Sequence, residues 1–452
     1  MNMSALQTPT MAIPVRTQAA RPRILFLACY FPPVQSSGCI RTWNLAKYLS
    51  RMNWDVTIVT PEPSHWRHID EPHIVSADLK QLGIRRLLTG HRWRCLAPDA
   101  LNVSTHGLAW VTGGACRKMA RTLGVDPGIG WVDEAEKTCA GLTPNDVDVI
   151  LASGPPFAGF VLAQRLADRL CCPYVLDYRD PWVLQGRAGG CPVYNKTEKE
   201  LVVQAAAVTA ISPSLFGEGR HFGEKFHVVT NGFDPDEMAP IRPRSFDHRA
   251  IVYAGIFHFP NRVITPIMQA LALLKRSGGP DAGWRFHYYG PQNEHVAAEA
   301  QRFGVLDRVE LHGLVPRAEA LAAIRGAALT IVITSVLEEI ADAGKGIVTG
   351  KVFDALGLGA PILIVGPRGS DLDLIVETTG LAQIIPAGHL NGIALCIKRA
   401  ISGRTVPSKN PEAYAWPNLI QAMHRILREA THTSQWGSPA TACHQRSMAK
   451  DV

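Results

Sequence analysis

One pattern occurs twice in this chain and limits what it can fold into. Residues 24–49 read ILFLACYFPPVQSSGCIRTWNLAKYL: an apolar strand, a turn bearing Pro and Gly, then an amphipathic helix, without a break. A strand that is apolar on both faces must be covered on both, as in a parallel sheet wound with helices. The second copy begins near Ala250, in AIVYAGIFHFPNRVITPIMQALALL. Two such starts, half a chain apart, imply two similar α/β halves with a ligand between them. Each turn also leaves small residues and free backbone N–H groups at the positive end of a helix, where a phosphate can sit.

The intervening sequence continues the rhythm. Short β-branched runs at 24–29, 56–60, 149–153, 174–178, 208–212 and 227–230 predict strands of a first sheet. Runs at 250–254, 285–289, 309–312, 329–334 and 361–365 predict a second. Residues 65–145 interrupt the first set and read as a helical insertion. It carries the basic, Trp-bearing segment RRLLTGHRWR (85–94), which suits either a solvated helix or contact with a membrane surface. The organisation is therefore a flexible tail at 1–20, a first domain at 21–236, a Pro- and charge-rich linker from Asp234, a second domain at 249–405, a helix at 411–429 and a loose tail at 430–452.

Composition bounds the function. At 452 residues with 46% apolar and 19% charged side chains, the chain builds packed domains and is not globally disordered. A net charge of +7 fits an anionic small molecule or an anionic membrane face and does not argue for nucleic acid. Ten cysteines include no Cys-x-x-Cys pair, the usage of reduced thiols in the cytosol. The N-terminus lacks an apolar signal core, and no run of about 18 apolar residues is present, so neither a signal peptide nor a transmembrane helix is expected. No G-x-G-x-x-G follows the first strand, which disfavours a dehydrogenase. The Asp-x-Asp triplets at 234–236 and 371–373 fall at loops or helix starts, and no metal site is expected from them.

Six segments, in order and with compatible spacing, carry a resemblance. They are YFPPVQSSGCIRTWNLAKYL, LGVDPGIGWVDEA, SGPPFAGFVLAQRLADRLCCPYVLDYRDPW, TAISPSLFGE, VVTNGFD and GKVFDALGLGAPILIVG. Together they resemble the retaining nucleotide-sugar glycosyltransferases of family 4, over about 23–428. The DYRDPW ending is similar to a polysaccharide-synthesis branch. The resemblance implies the GT-B fold: two doubly wound Rossmann-like domains facing a central cleft, with a C-terminal helix crossing back to the first.

The site residues follow from residue chemistry and from that resemblance. Ser37 and Gly38 precede the first helix, where a glycine permits close approach of a phosphate or sugar. Arg179 and Asp180 follow a strand and should lie at its cleft edge. Many family members have His where Arg179 stands, and an arginine there suits an anionic group. Asn231 ends the first domain in a turn or hinge. Gly255 ends the first strand of the second domain, and Arg262 follows in its loop. The resemblance gives Arg262 and Lys351 the departing diphosphate, whose growing negative charge a cation stabilises. It gives Asp354 the ribose hydroxyls, where relatives carry Glu. The companion acid, eight residues upstream, is replaced by Gly346; Glu338 or Glu339 stand nearby as substitutes. The implied activity is transfer of a hexose from a nucleoside-diphosphate sugar to a lipid-linked saccharide, without metal or other cofactor, in the cytoplasm or on the inner face of its membrane. Two alternatives stay open: a sugar-nucleotide 2-epimerase of similar fold, and an inert sugar-nucleotide-binding partner subunit.

Overall fold

The computed structural model describes residues 21–34, 37–62, 78–89, 129–182, 192–216, 222–277, 283–337, 345–346, 348–380, 384–404 and 409–432. Among these residues the chain forms two parallel sheets. The first comprises β1 (Arg23–Ala28), β2 (Asp55–Pro61), β3 (Arg85–Thr89), β4 (Val149–Gly154), β5 (Tyr174–Tyr178), β6 (Ala207–Ala210) and β7 (Phe226–Val228), in the order β3-β2-β1-β4-β5-β6-β7. The second comprises β8 (Arg249–Ala254), β9 (Trp284–Tyr289), β10 (Val309–Gly313), β11 (Leu329–Ile333), β12 (Ile362–Val365) and β13 (Ile384–Ile385), in the order β10-β9-β8-β11-β12-β13. Both sheets start in the middle and wind outward in opposite directions. The crevice lies where the winding reverses, beside β1 and β4 in one and beside β8 and β11 in the other.

Each sheet is covered on both faces, as its apolar strands require. In the first lobe Leu25 and Leu27 of β1 pack with Phe160 and Leu166 of the helix Ala158–Leu170. Ile24 and Phe26 point the other way, into a cluster containing Trp416, Ile420, Met423 and Leu427. Those four belong to the C-terminal helix Trp416–His432, which thus returns to the first lobe. Its Pro417 sits in the first turn, where a missing N–H is harmless, so it starts the helix and does not kink it. Trp54 Nε1 donates to His424 Nδ1 at 2.9 Å and fixes the helix against the sheet.

Two expectations are corrected. Residues 85–89 do not belong to a helix: Arg85–Thr89 is the edge strand β3, paired in parallel with β2 from Thr57 to Pro61. An edge strand has one open flank, so it tolerates the arginines that made the segment look helical and solvated. The remainder of the basic segment, 90–94, lies outside the described residues, as do most of the expected insertion, the tail at 1–20 and residues 433–452; residues 430–432, expected in the loose tail, continue the C-terminal helix. Second, the stretch from Asp234 contains ordered structure. Asp234 caps the short helix Pro235–Met238 through Asp236 N–H at 3.0 Å, and its carboxylate also accepts from Lys47 Nζ at 2.6 Å and Tyr48 Oη at 2.7 Å.

The two chain crossings between the lobes run together. Phe233 N–H donates to Tyr414 O, and Trp416 N–H donates to Phe233 O, each at 3.0 Å. Gly232 lies so close to the Tyr414 carbonyl and the Leu419 side chain that a Cβ would collide with both.

Candidate functional site

On the first lobe, β5 carries Arg179 and Asp180 to the carboxyl edge of the sheet. Arg179 is fixed from below. Its backbone N–H donates to Gly154 O at 2.9 Å, its Nε donates to the same oxygen at 3.3 Å, and its Nη2 donates to Pro155 O. The guanidinium lies 5.5 Å from the Tyr30 ring centroid. Gly38 is what makes room: a Cβ there would strike Arg179 Nη1. These two predicted residues therefore meet. Burial holds the Arg179 guanidinium below its ordinary pKa. Asp180 is solvent-exposed but stands in a crowded gap. The crowding raises its carboxyl, while Arg179 and Arg262 pull it down. Arg262 belongs to the other lobe, so the field at Asp180 spans the cleft.

Beneath this edge lies a buried ion pair that sequence reading missed. Arg41 donates from Nε and Nη2 to Asp177 at 2.9 and 2.6 Å. Ser153 and Thr209 hydroxyls donate to the same carboxylate at 2.8 and 2.7 Å. Burial alone would raise the Asp177 carboxyl; Arg41 and the hydroxyls hold it below the usual range. Arg41 Nη1 continues to Thr230 O at 3.2 Å and Asn231 Oδ1 at 3.1 Å. Asn231 is thus tethered to the first helix at the start of the crossing.

On the second lobe, β8 runs into Gly255, whose φ of +135° is one that side-chain-bearing residues avoid. A Cβ at Gly255 would meet Lys351 Cε, so the lysine stem crosses the glycine backbone closely. Lys351 Nζ stands 5.4 Å from the Tyr253 ring centroid. Burial first, then the charge of Arg262, push the Lys351 ammonium down to about 8, against the opposing pull of Asp354. Gly255 and Arg262 therefore converge with Lys351, which is distant in the sequence. Among the described residues neither cation has an ion-pair partner.

Asp354 sits one turn further along the helix Gly350–Gly357 and is engaged. Arg317 donates to its two oxygens at 2.7 and 3.2 Å, and holds Glu237 at 2.6 and 3.1 Å. Burial would lower the Arg317 pKa, but Asp354 and Glu237 raise it above its ordinary value. Sequence reading passed over Arg317. A cation in the first turn of a helix opposes the dipole and calls for an acid nearby, and that was the available signal.

Gly346 marks the lobe contact. A Cβ there would lie 2.5 Å from the backbone N and Cα of Leu215. Ser212 Oγ donates to Gly346 O at 2.6 Å, and the Ser214 N–H and hydroxyl donate to the Asp371 carboxylate at 2.7 Å each. A side chain in this position would push the lobes apart. Both Asp-x-Asp triplets are occupied locally: Asp373 completes a capping box with Ser370, and Asp234 caps its own helix. Ser37 opens the first helix; its side chain, Glu338 and Glu339 lie outside the described residues.

Residues 40–232 match a family model described as Glycosyl transferase 4-like domain. Solved structures agree in fold over nearly the whole chain. The sucrose-phosphate synthase from Thermosynechococcus elongatus superposes with a TM-score of 0.54 at 15% identity, covering 95% of this chain and 98% of that one. The unliganded OtsA structure gives 0.53 at 11% identity, with 92% and 99% covered. The UDP-N-acetylglucosamine 2-epimerase (so described as putative) from Listeria monocytogenes gives 0.51 at 14%, with 90% and 96% covered. No curated protein sequence matches the chain. The fold is GT-B. In this GT-B frame the two strand edges described above are the facing walls of the cleft. No helix among the described residues is long and apolar enough to cross a membrane.

Proposed function

We propose that the protein is a retaining, metal-independent hexosyltransferase that moves a sugar from a nucleoside diphosphate to a lipid-linked saccharide in cell-surface polysaccharide synthesis. The observation that carries this reading is the meeting of two cations, Arg262 and Lys351, that have no ion-pair partner among the described residues, opposite Arg179 and Asp180 of the other lobe. Breaking a glycosyl–phosphate bond builds negative charge on the leaving diphosphate. Cations already desolvated and in position stabilise that charge with little reorganisation. In this reading Gly255 lets the diphosphate approach the β8 edge, and Asp354, oriented by Arg317, holds the ribose. Arg179 and Gly38 flank the reacting sugar, with Ser37, Asp180 and Asn231 on the acceptor side. Glu338 and Glu339 remain candidates for the donor sugar. The departing phosphate takes the acceptor proton, so no protein base is required. Closure of the lobes excludes water and limits hydrolysis of the donor. The enzyme would work in the cytoplasm, against the inner face of the membrane that carries its acceptor.

The test is incubation with UDP- and GDP-sugars, with and without lipid extract, in the presence of EDTA. Acceptor-dependent release of nucleotide, with the product's anomeric configuration unchanged, supports the proposal. Conversion of UDP-N-acetylglucosamine to its 2-epimer without acceptor would make the protein an epimerase. Binding without turnover in any mixture would make it an inert partner subunit.

A further inference from the structure

The loop from Gly255 to Arg262 carries another basic side chain, His258, beside the two cations. His258 N–H donates to Arg262 O at 3.1 Å, and Arg262 N–H donates to His258 O at 2.9 Å. These two bonds make an isolated antiparallel bridge. Residues opposed in such a bridge project their side chains from the same face. The loop thus presents an imidazole next to a guanidinium, while Lys351 arrives over Gly255 from the neighbouring helix. His258 is exposed, so a ligand in the cleft can reach it.

We propose that His258 is the third member of the diphosphate-binding set and that it takes up a proton when the diphosphate binds. The inference rests on the reading of this loop as the diphosphate site. Burial and then the charges of Arg262 and Lys351 hold the imidazole below its ordinary pKa, so the protein alone favours its neutral form near pH 7. Among the described residues the charges acting on it, Arg262 and Lys351, are both positive. Asp180, from the first lobe, acts on Arg262, and Asp354 acts on Lys351. His295, on the helix Asn293–Arg302, meets Phe257 and Phe259 edge-on and feels the charge of Glu299. A diphosphate placed against Arg262 and Lys351 reverses the sign of the local field. The imidazolium then becomes the favoured form and gives the anion a third cation.

The test is titration calorimetry with inorganic pyrophosphate and with uridine diphosphate at pH 6.5, in buffers of different ionisation enthalpy. Wild type should take up more protons per bound ligand than His258→Gln, by a fraction of a proton up to about one. Lys351 is already charged at that pH, and the ligand's own protons cancel in the difference. His295→Gln should behave as wild type. His258→Lys, charged at pH 7 without taking up a proton, should bind at that pH at least as tightly as wild type does. Equal proton uptake by wild type and His258→Gln, with binding intact, would overturn the proposal alone. Failure of wild type to bind either ligand would overturn the diphosphate site and this inference with it.

Discussion

The two lobes are wound on the same strand order, yet they treat charge at the cleft edge differently. In the first lobe the basic side chains behind the edge are matched. Arg41 is locked on Asp177, and Lys47 on Asp234, with every contact under 3 Å. In the second lobe, among the described residues, Arg262 and Lys351 face the cleft without an acid bonded to them. Matched buried charges hold a fold; unmatched ones make it less stable and keep a place for a ligand's charge. The same architecture thus provides a rigid wall on one side and an anion-seeking wall on the other.

That contrast can be broken at its strongest point first. Asp177→Ala leaves Arg41 charged and unpaired in the core, and should cost about 3–5 kcal/mol. Thermal unfolding should show a fall of about 6–20 °C, at 2–4 °C per kcal/mol for a lobe of this size. A loss under 1 kcal/mol would show that the pair is not structural. Lys351→Met should do the reverse. Removing a desolvated, unpartnered ammonium should raise stability by about 1 kcal/mol while weakening nucleoside-diphosphate binding about tenfold to a hundredfold. Reduced binding together with reduced stability would place Lys351 in the structural class with Arg41.

The pH dependence sharpens the comparison further. The folded Lys351 pKa of about 8 lies below the ordinary lysine value, so the folded state resists its protonation. An anion reverses that resistance. Nucleoside-diphosphate affinity should therefore fall as pH rises through 8, by up to about tenfold per unit, and the slope should vanish in Lys351→Met. The smallest effect lies elsewhere in the second lobe. His287 is buried between His248 at 2.7 Å and His312 at 3.0 Å, and burial together with the neighbouring imidazoles and arginines lowers its pKa to about 3. Its folded pKa is depressed, so its contribution is present above the unfolded value near 6.5 and is lost as pH falls toward 3. Acid unfolding of His287→Phe should have a shallower slope over that interval than wild type.

The sequence made the architecture legible because period and burial agree in both lobes. Strands such as Ile24–Ala28 and Ile251–Ala254 are apolar on both faces, and only a doubly covered sheet buries them. β3 was hidden because an edge strand with arginines has no apolar run to betray it. β13 was hidden because two residues are too few to make a pattern. At the site, Gly38 and Gly255 were visible as glycines, but not the reason for them: each clears the path of one long basic side chain, Arg179 or Lys351. Arg41 and Arg317 were invisible as a class, since their partners lie 136 and 37 residues away along the chain. Gly346 shows a departure from the resembling family turned to another use. Where the resemblance implies an acid, this chain carries a lobe contact that leaves no room for one.

The paired crossings at Phe233 and Tyr414–Trp416 govern how the halves can move. Two separate straps would let the lobes slide, tilt and twist independently. Two strands joined by reciprocal peptide hydrogen bonds act as a single pivot pin, which permits swinging and resists shear. A small torsional change near Gly232 is then magnified by the length of a lobe into the gape of the mouth.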